Sequence, residues 1–191
     1  MKPRVDDSNL TARRAPIGKR WAVCLLLAAM LATMITIFLL SSESVSKSGE
    51  RSFGVTVQIA RILCRNFDSL SNTEQIEIVD GMHRLVRKGA HFTEYTLLGG
   101  LLIMVLNEMF PSRTHSARCQ LYLALIAAAF GLSYAIFDEV HQKFVNRGAS
   151  PRDVCIDFAG VIFGIGLVVG ITHITRRIRN EKTADKGASK T

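Results

Sequence analysis

Only four prolines and one tryptophan occur in 191 residues, and no C-x-x-C pair joins any of the four cysteines. Few prolines suit long helices, because a proline inside a helix removes a backbone donor and kinks it. Single cysteines at 24, 64, 119 and 155 exclude a zinc ribbon and a disulfide scaffold. Cys24 and Cys155 are expected to be buried packing residues. Acids are also scarce, 16 against 24 Lys plus Arg, for a net charge of +8. That balance could suggest nucleic acid, but there is no nucleic-acid motif and no aromatic stacking platform. The bases gather in two tails flanking apolar blocks, so no nucleic-acid partner is expected and anionic lipid is the simpler one.

What is present is hydrocarbon-compatible sequence: 48% of residues are hydrophobic, in blocks rather than at soluble amphipathic spacing. Trp21 to Leu40 is an uncharged run of twenty residues, about 30 Å of helix and enough to cross a bilayer. Its basic flank, Arg13, Arg14, Lys19 and Arg20, resembles a signal peptide, but the run is long and no A-x-A site follows. Further spans are expected at 90–110, interrupted by His91, Glu94, Asn107 and Glu108, at 120–137, and at 154–174 with Asp157 and His173 inside. The fold class is therefore an all-α integral membrane protein, a four-transmembrane-helix bundle. Its parts are a basic N-tail (1–20), a membrane domain (21–175) and a basic C-tail (176–191) that frays after Arg179. Six Lys or Arg in residues 1–20, two in 111–119 and six from 172 onward make 14 of 24 on one side. That bias places both termini in the cytoplasm.

The 41–89 segment is expected to hold an amphipathic or surface helix in the first extracytoplasmic loop. Val55, Ile59, Ile62, Leu63 and Phe67 lie at helical spacing opposite Gln58, Arg61 and Arg65. It either lies along the membrane surface or packs on the bundle top. Ser71-Asn72-Thr73-Glu74 has the form of a capping box. A helix starting near Asn72, with Ile76, Val79 and Val86 as an apolar stripe, would run into the second span.

Alternating chain direction brings three ionisable clusters to one face of the bilayer. Arg87, His91 and Glu94 follow i, i+4, i+7, with Lys88 and Tyr95 beside them. Tyr134, Asp138 and His141 repeat the spacing, and Glu139 is expected to pair with Gln142 at i+3. Arg147, Asp153 and Asp157 form the third cluster, and Asp157 would point into the bundle along a stripe with Gly160 and Gly164. The commoner role for Asp153 is to cap a helix begun by Ser150-Pro151. That for Arg87 and Lys88 is to snorkel to headgroups, and Asn107 and Glu108 would mark the cytoplasmic end. Gly160-x-x-x-Gly164 and Gly166-x-x-x-Gly170 read as packing devices. The acids resist such explanations, because a carboxylate beside hydrocarbon needs partners.

Three ordered strings carry a resemblance: Arg87-Lys88-Gly89-Ala90-His91-Phe92-Thr93-Glu94-Tyr95, then Asp138-Glu139-Val140-His141-Gln142-Lys143-Phe144, then Arg147 with Ser150-Pro151-Arg152-Asp153 and Asp157-Phe158-Ala159-Gly160. Together with Phe38-Leu39-Leu40-Ser41-Ser42-Glu43 they resemble the VanZ-like family of bacterial membrane proteins over roughly residues 20–175. The family is named for a protein linked to low-level teicoplanin resistance. This chain is more similar to the R-K-x-x-H-F-x-E-Y branch than to that founding protein.

The resemblance implies a multipass protein of the bacterial membrane, and the leading reading of its clusters is an outward-facing polar pocket that would bind the headgroup of a lipid or lipid-linked envelope component. Arg87, Lys88 and Arg147 would hold phosphate or carboxylate. Glu94, Asp138, Glu139 and Asp157 would orient those bases, Tyr95, Gln142 and Asp153 would complete the lining, and His91 and His141 could report pH. No cofactor is expected; His91, Glu94, Glu139 and His141 are the residues that would hold a divalent metal if one binds. The rival is an enzyme acting on a phospholipid or polyprenyl phosphate, against which stands the lack of H-E-x-x-H or a nucleophile setting. Ion movement lacks a relay through Leu97–Leu106, and a scaffold of self-paired charges is the fourth reading.

Overall fold

The computed structural model describes residues 17–111, 116–145 and 150–188. It contains five helices and no strand among those residues: α1 (Ile17–Ser41), α2 (Val45–Leu63), α3 (Asn72–Met109), α4 (Ala117–Phe144) and α5 (Pro151–Ala188). A single 3-10 turn, Phe67–Ser69, joins α2 to α3. All but α2 are long and apolar enough to cross a membrane. Large apolar side chains are exposed along all four, among them Leu31 and Ile35, Leu97, Ile126 and Phe137, and Phe163 and Ile171. Water would oppose so much exposed apolar surface, whereas lipid accepts it.

The spans are longer than their apolar runs. α3 begins well before residue 90, started by the expected capping box: the Ser71 hydroxyl accepts from the Glu74 N–H at 3.4 Å, and the Glu74 carboxylate accepts from the Ser71 N–H at 2.9 Å. With no proline before Pro111, its 38 residues extend about 57 Å, so roughly half stands outside a bilayer. α5 likewise continues past residue 175 to Ala188 rather than fraying after Arg179. No proline interrupts this stretch, and Arg177 pairs with Glu181 at 3.3 Å one turn on.

α2 packs on α3, where Ala60 meets Val79. Its buried line is Thr56 and Ala60, two small residues one turn apart; Val55, Ile62 and Leu63 are exposed and Ile59 only half-buried. The helix stops at Leu63, and the 3-10 turn swings Phe67 back against Ala60 and Val79. The expected stripe of large side chains is thus mostly an outer face, because close contact with α3 is made through small ones.

α3 is the central helix, touching α1, α2, α4 and α5, and its most extensive contact is with α5. Glycines set that contact. A Cβ on Gly164 would collide with the Thr96 carbonyl oxygen, one on Gly160 would come within 2.5 Å of the Phe92 carbonyl oxygen, and one on Gly99 would strike the Val161 backbone. Gly166 and Gly170 meet nothing within 4 Å, so only the first of the two glycine motifs packs a helix. Cys24 and Cys155 are exposed rather than buried. The apolar surroundings suggested by their sequence are lipid, not protein core.

Gly164→Ala should therefore push α5 off α3, destabilising by about 1–3 kcal/mol as overpacked cores do, while Gly166→Ala should be neutral or stabilising. Thermal unfolding of the two variants in detergent checks the contrast.

Candidate functional site

The described members of the three clusters meet at one end of the bundle, where α1 and α4 end, α5 begins and α3 passes through. Asp138 on α4 is 1% exposed, and one of its carboxylate oxygens, Oδ2, accepts from the Ser41 hydroxyl of α1 at 2.9 Å and from Gln142 Nε2 at 3.0 Å. Gln142 therefore serves Asp138, one turn earlier, rather than Glu139. An i+4 step lies more nearly on one helix face than i+3 with this side-chain geometry. Asp157 on α5 is equally buried and lies across from His91 of α3, Nδ1 to Oδ1, at 3.9 Å. Half-buried Glu94 sits 4.0 Å from the same imidazole nitrogen. Tyr95 is fully buried in the core below them, 6.3 Å between ring centroids from Tyr134.

The α4–α5 junction explains two more acids. Ser150 caps α5 with Pro151 in the first position, and its hydroxyl accepts from the Arg152 N–H at 3.2 Å. In a capping box the third helical residue would bond back to the Ser150 N–H. Here Glu139 of α4 does so instead, at 3.0 Å. Asp153 reaches across to Lys88 of α3 at 3.1 Å, so both groups have a role beyond capping or snorkelling. That pair is partly exposed, which limits its contribution to about 0–1 kcal/mol.

A cavity of about 210 Å³ opens here. Arg84, Arg87, Lys88 and His91 line it from α3, Glu139 and Gln142 from α4, and Asp153, Ile156 and Asp157 from α5. Arg84 had not been expected in the site, although it stands one turn before Arg87 and Lys88. His141 does not line the cavity. Its Nε2 lies 3.0 Å from the Ser42 hydroxyl, and its ring stacks on Phe38 with centroids 4.5 Å apart. It therefore joins α4 to α1. Ser41, Ser42 and the Tyr134 hydroxyl, which donates to the Met34 carbonyl at 2.6 Å, are contacts that polar patterning missed. Only the Ser41-Ser42 position in the family resemblance hinted at them. Arg147 lies outside the described residues. Of the four side chains singled out for a metal, Glu139 is engaged by the Ser150 N–H and His141 lies near Ser42. His91 instead has donor atoms of Asp138 and Asp157 within 4.8 Å.

The VanZ/LLP1 family model matches residues 25–173, which include every element of this site. The chain belongs to the VanZ/LLP1 family. No curated protein and no solved structure matches it. The match runs from within α1 to within α5 and so takes in parts of all four apolar helices and the whole of α2.

At the junction of this VanZ/LLP1 bundle, Glu139→Ala should release the Ser150 N–H and loosen the first turn of α5, at a cost of about 1–3 kcal/mol for the buried group left unpaired. Lys88→Ala should cost under about 1 kcal/mol. Hydrogen exchange at residues 150–154 should rise in the first variant and stay near wild type in the second.

Proposed function

We propose that this VanZ/LLP1 protein binds, from the outer side of the cytoplasmic membrane, the anionic headgroup of a lipid or lipid-linked envelope component. The observation that carries this reading is the cavity wall of Arg84, Arg87 and Lys88, facing acids of α4 and α5 at the level where apolar helix surface ends. Arginine matches phosphate by paired hydrogen bonds, and lysine adds a point charge. A volume of about 210 Å³ is below the roughly 300–1,000 Å³ that encloses a drug-sized ligand. It suits a headgroup whose acyl or prenyl chains remain in the bilayer. Asp153 holds Lys88 at the mouth, and Phe53, Val55, Ile62 and Leu63, exposed on α2, suit a helix resting in the interface.

The excess of Lys and Arg in the tails supports cytoplasmic termini and hence an outward cavity. Sequestering such a component would withdraw or shield a target of envelope-directed antibiotics, glycopeptides included. A second reading, an enzyme acting on the same headgroup, is favoured by the approach of His91 to Asp157 at the cavity floor. Release of free phosphate or headgroup from a polyprenyl phosphate or phospholipid would select it.

Binding of polyprenyl phosphate and of anionic phospholipid to purified protein, read by native mass spectrometry, tests the proposal. Arg87→Ala should weaken binding at least about tenfold, the loss of one charge-assisted contact of roughly 1.5–3 kcal/mol. Glu108→Ala, at the far end of the bundle, should leave it unchanged. Equal binding by wild type and Arg87→Ala would reject the pocket.

A further inference from the structure

Three buried oxygens of the site have no hydrogen-bond donor among the described residues. Asp138 Oδ1, Asp157 Oδ2 and the Tyr95 hydroxyl are buried without a hydrogen-bond partner among the described residues, on side chains 1%, 1% and 0% exposed. An uncompensated buried charge costs several kcal/mol, and two carboxylates side by side repel as well. Among the described residues, no Lys or Arg pairs with either carboxylate. Lys88 is engaged by Asp153 near the mouth, and Arg87 lines the cavity beside Glu139.

One donor atom from each of His91, Asp138 and Asp157 lies within 4.8 Å of the other two, each residue supplied by a different helix. We infer that His91, Asp138 and Asp157 bind a divalent transition-metal ion, of the Zn²⁺ or Mn²⁺ class, at the floor of the cavity. Two carboxylates balance the 2+ charge, and the imidazole selects a transition ion over Ca²⁺, which takes 6–8 oxygens, and over Mg²⁺, which holds its waters. Bonds of about 2.0–2.2 Å put neighbouring ligands roughly 3–4 Å apart. His91 Nδ1 and Asp157 Oδ1, at 3.9 Å, already stand at that separation.

The surroundings fit an outer shell. Ser41 and Gln142 both donate to Asp138 Oδ2 and fix the carboxylate, as partners of metal ligands commonly do, while Oδ1 has no hydrogen-bond partner among the described residues. Three protein ligands leave a coordination position open, the pattern of sites that act on a further ligand rather than of closed structural sites. His91 and Asp157 themselves line the cavity, so that position faces it. The ion site rests on buried geometry and does not depend on the lipid reading.

The test uses the full chain in detergent, stripped with a chelator and dialysed against Zn²⁺ or Mn²⁺ alone. About one ion per chain should bind, and Asp157→Asn and Asp138→Asn should each weaken binding at least about tenfold. Arg87→Ala should keep the ion while losing headgroup binding, which separates failure of this inference from failure of the lipid proposal. Should the Asn variants fail to insert, X-ray absorption at the zinc edge of the wild-type protein decides: a shell of one imidazole nitrogen and carboxylate oxygens supports the site. Sulfur ligands, no stoichiometric ion, or unchanged affinity in both Asn variants would overturn it.

Discussion

Carboxylates at the edge of hydrocarbon cannot be scattered. Asp138 and Asp157 are almost wholly buried, and taking even one such charge from water costs several kcal/mol unless donors or opposite charges surround it. The bundle meets part of that constraint by ending two helices, beginning a third and passing a fourth at one level. Ser41 comes from the end of α1, Gln142 from the last turns of α4 and His91 from α3. The polar end of each span is thus spent on the others, and the remaining lengths can be apolar and face lipid.

Close approach of α3 and α5 makes the gathering possible. Gly99, Gly160 and Gly164 let the two backbones touch below the acids, so that His91 and Asp157, on opposite helices, come within 3.9 Å. Val161, pressed between Gly99 and Gly131, extends the contact to α4. Above the acids, Glu139 closes the α4–α5 turn by capping Ser150. The glycine seam sets the distance between the α3 and α5 walls of the cavity.

Much of this was legible from residue patterns. The four spans follow from apolar length, the α3 start from Ser71 and Glu74, and the interior direction of Asp157 from its glycine stripe. What periodicity could not resolve was partner choice. It places Glu139 and Gln142 on neighbouring turns but cannot see that Ser150 and Asp138 compete for them. Cys24, Cys155, Gly166 and Gly170 were misplaced for one reason: an apolar neighbourhood in sequence looks the same whether it faces protein or lipid. Serines 41 and 42 carry no periodic signal, yet they tie α1 to the site.

In this chain the cationic mouth of the cavity, Arg84, Arg87 and Lys88, lies over the buried acids Asp138 and Asp157 at one end of the bundle. Everything depends on the clusters sharing that end. The most direct measurement is labelling of single cysteines, in a background without the four native ones, by a membrane-impermeant thiol reagent in sealed vesicles. Cysteines at Lys88, Phe144 and Arg152, all exposed, should react from one compartment, and those at Glu108 and Arg118 from the other. Reaction of Lys88 and Phe144 from opposite compartments would contradict the convergence.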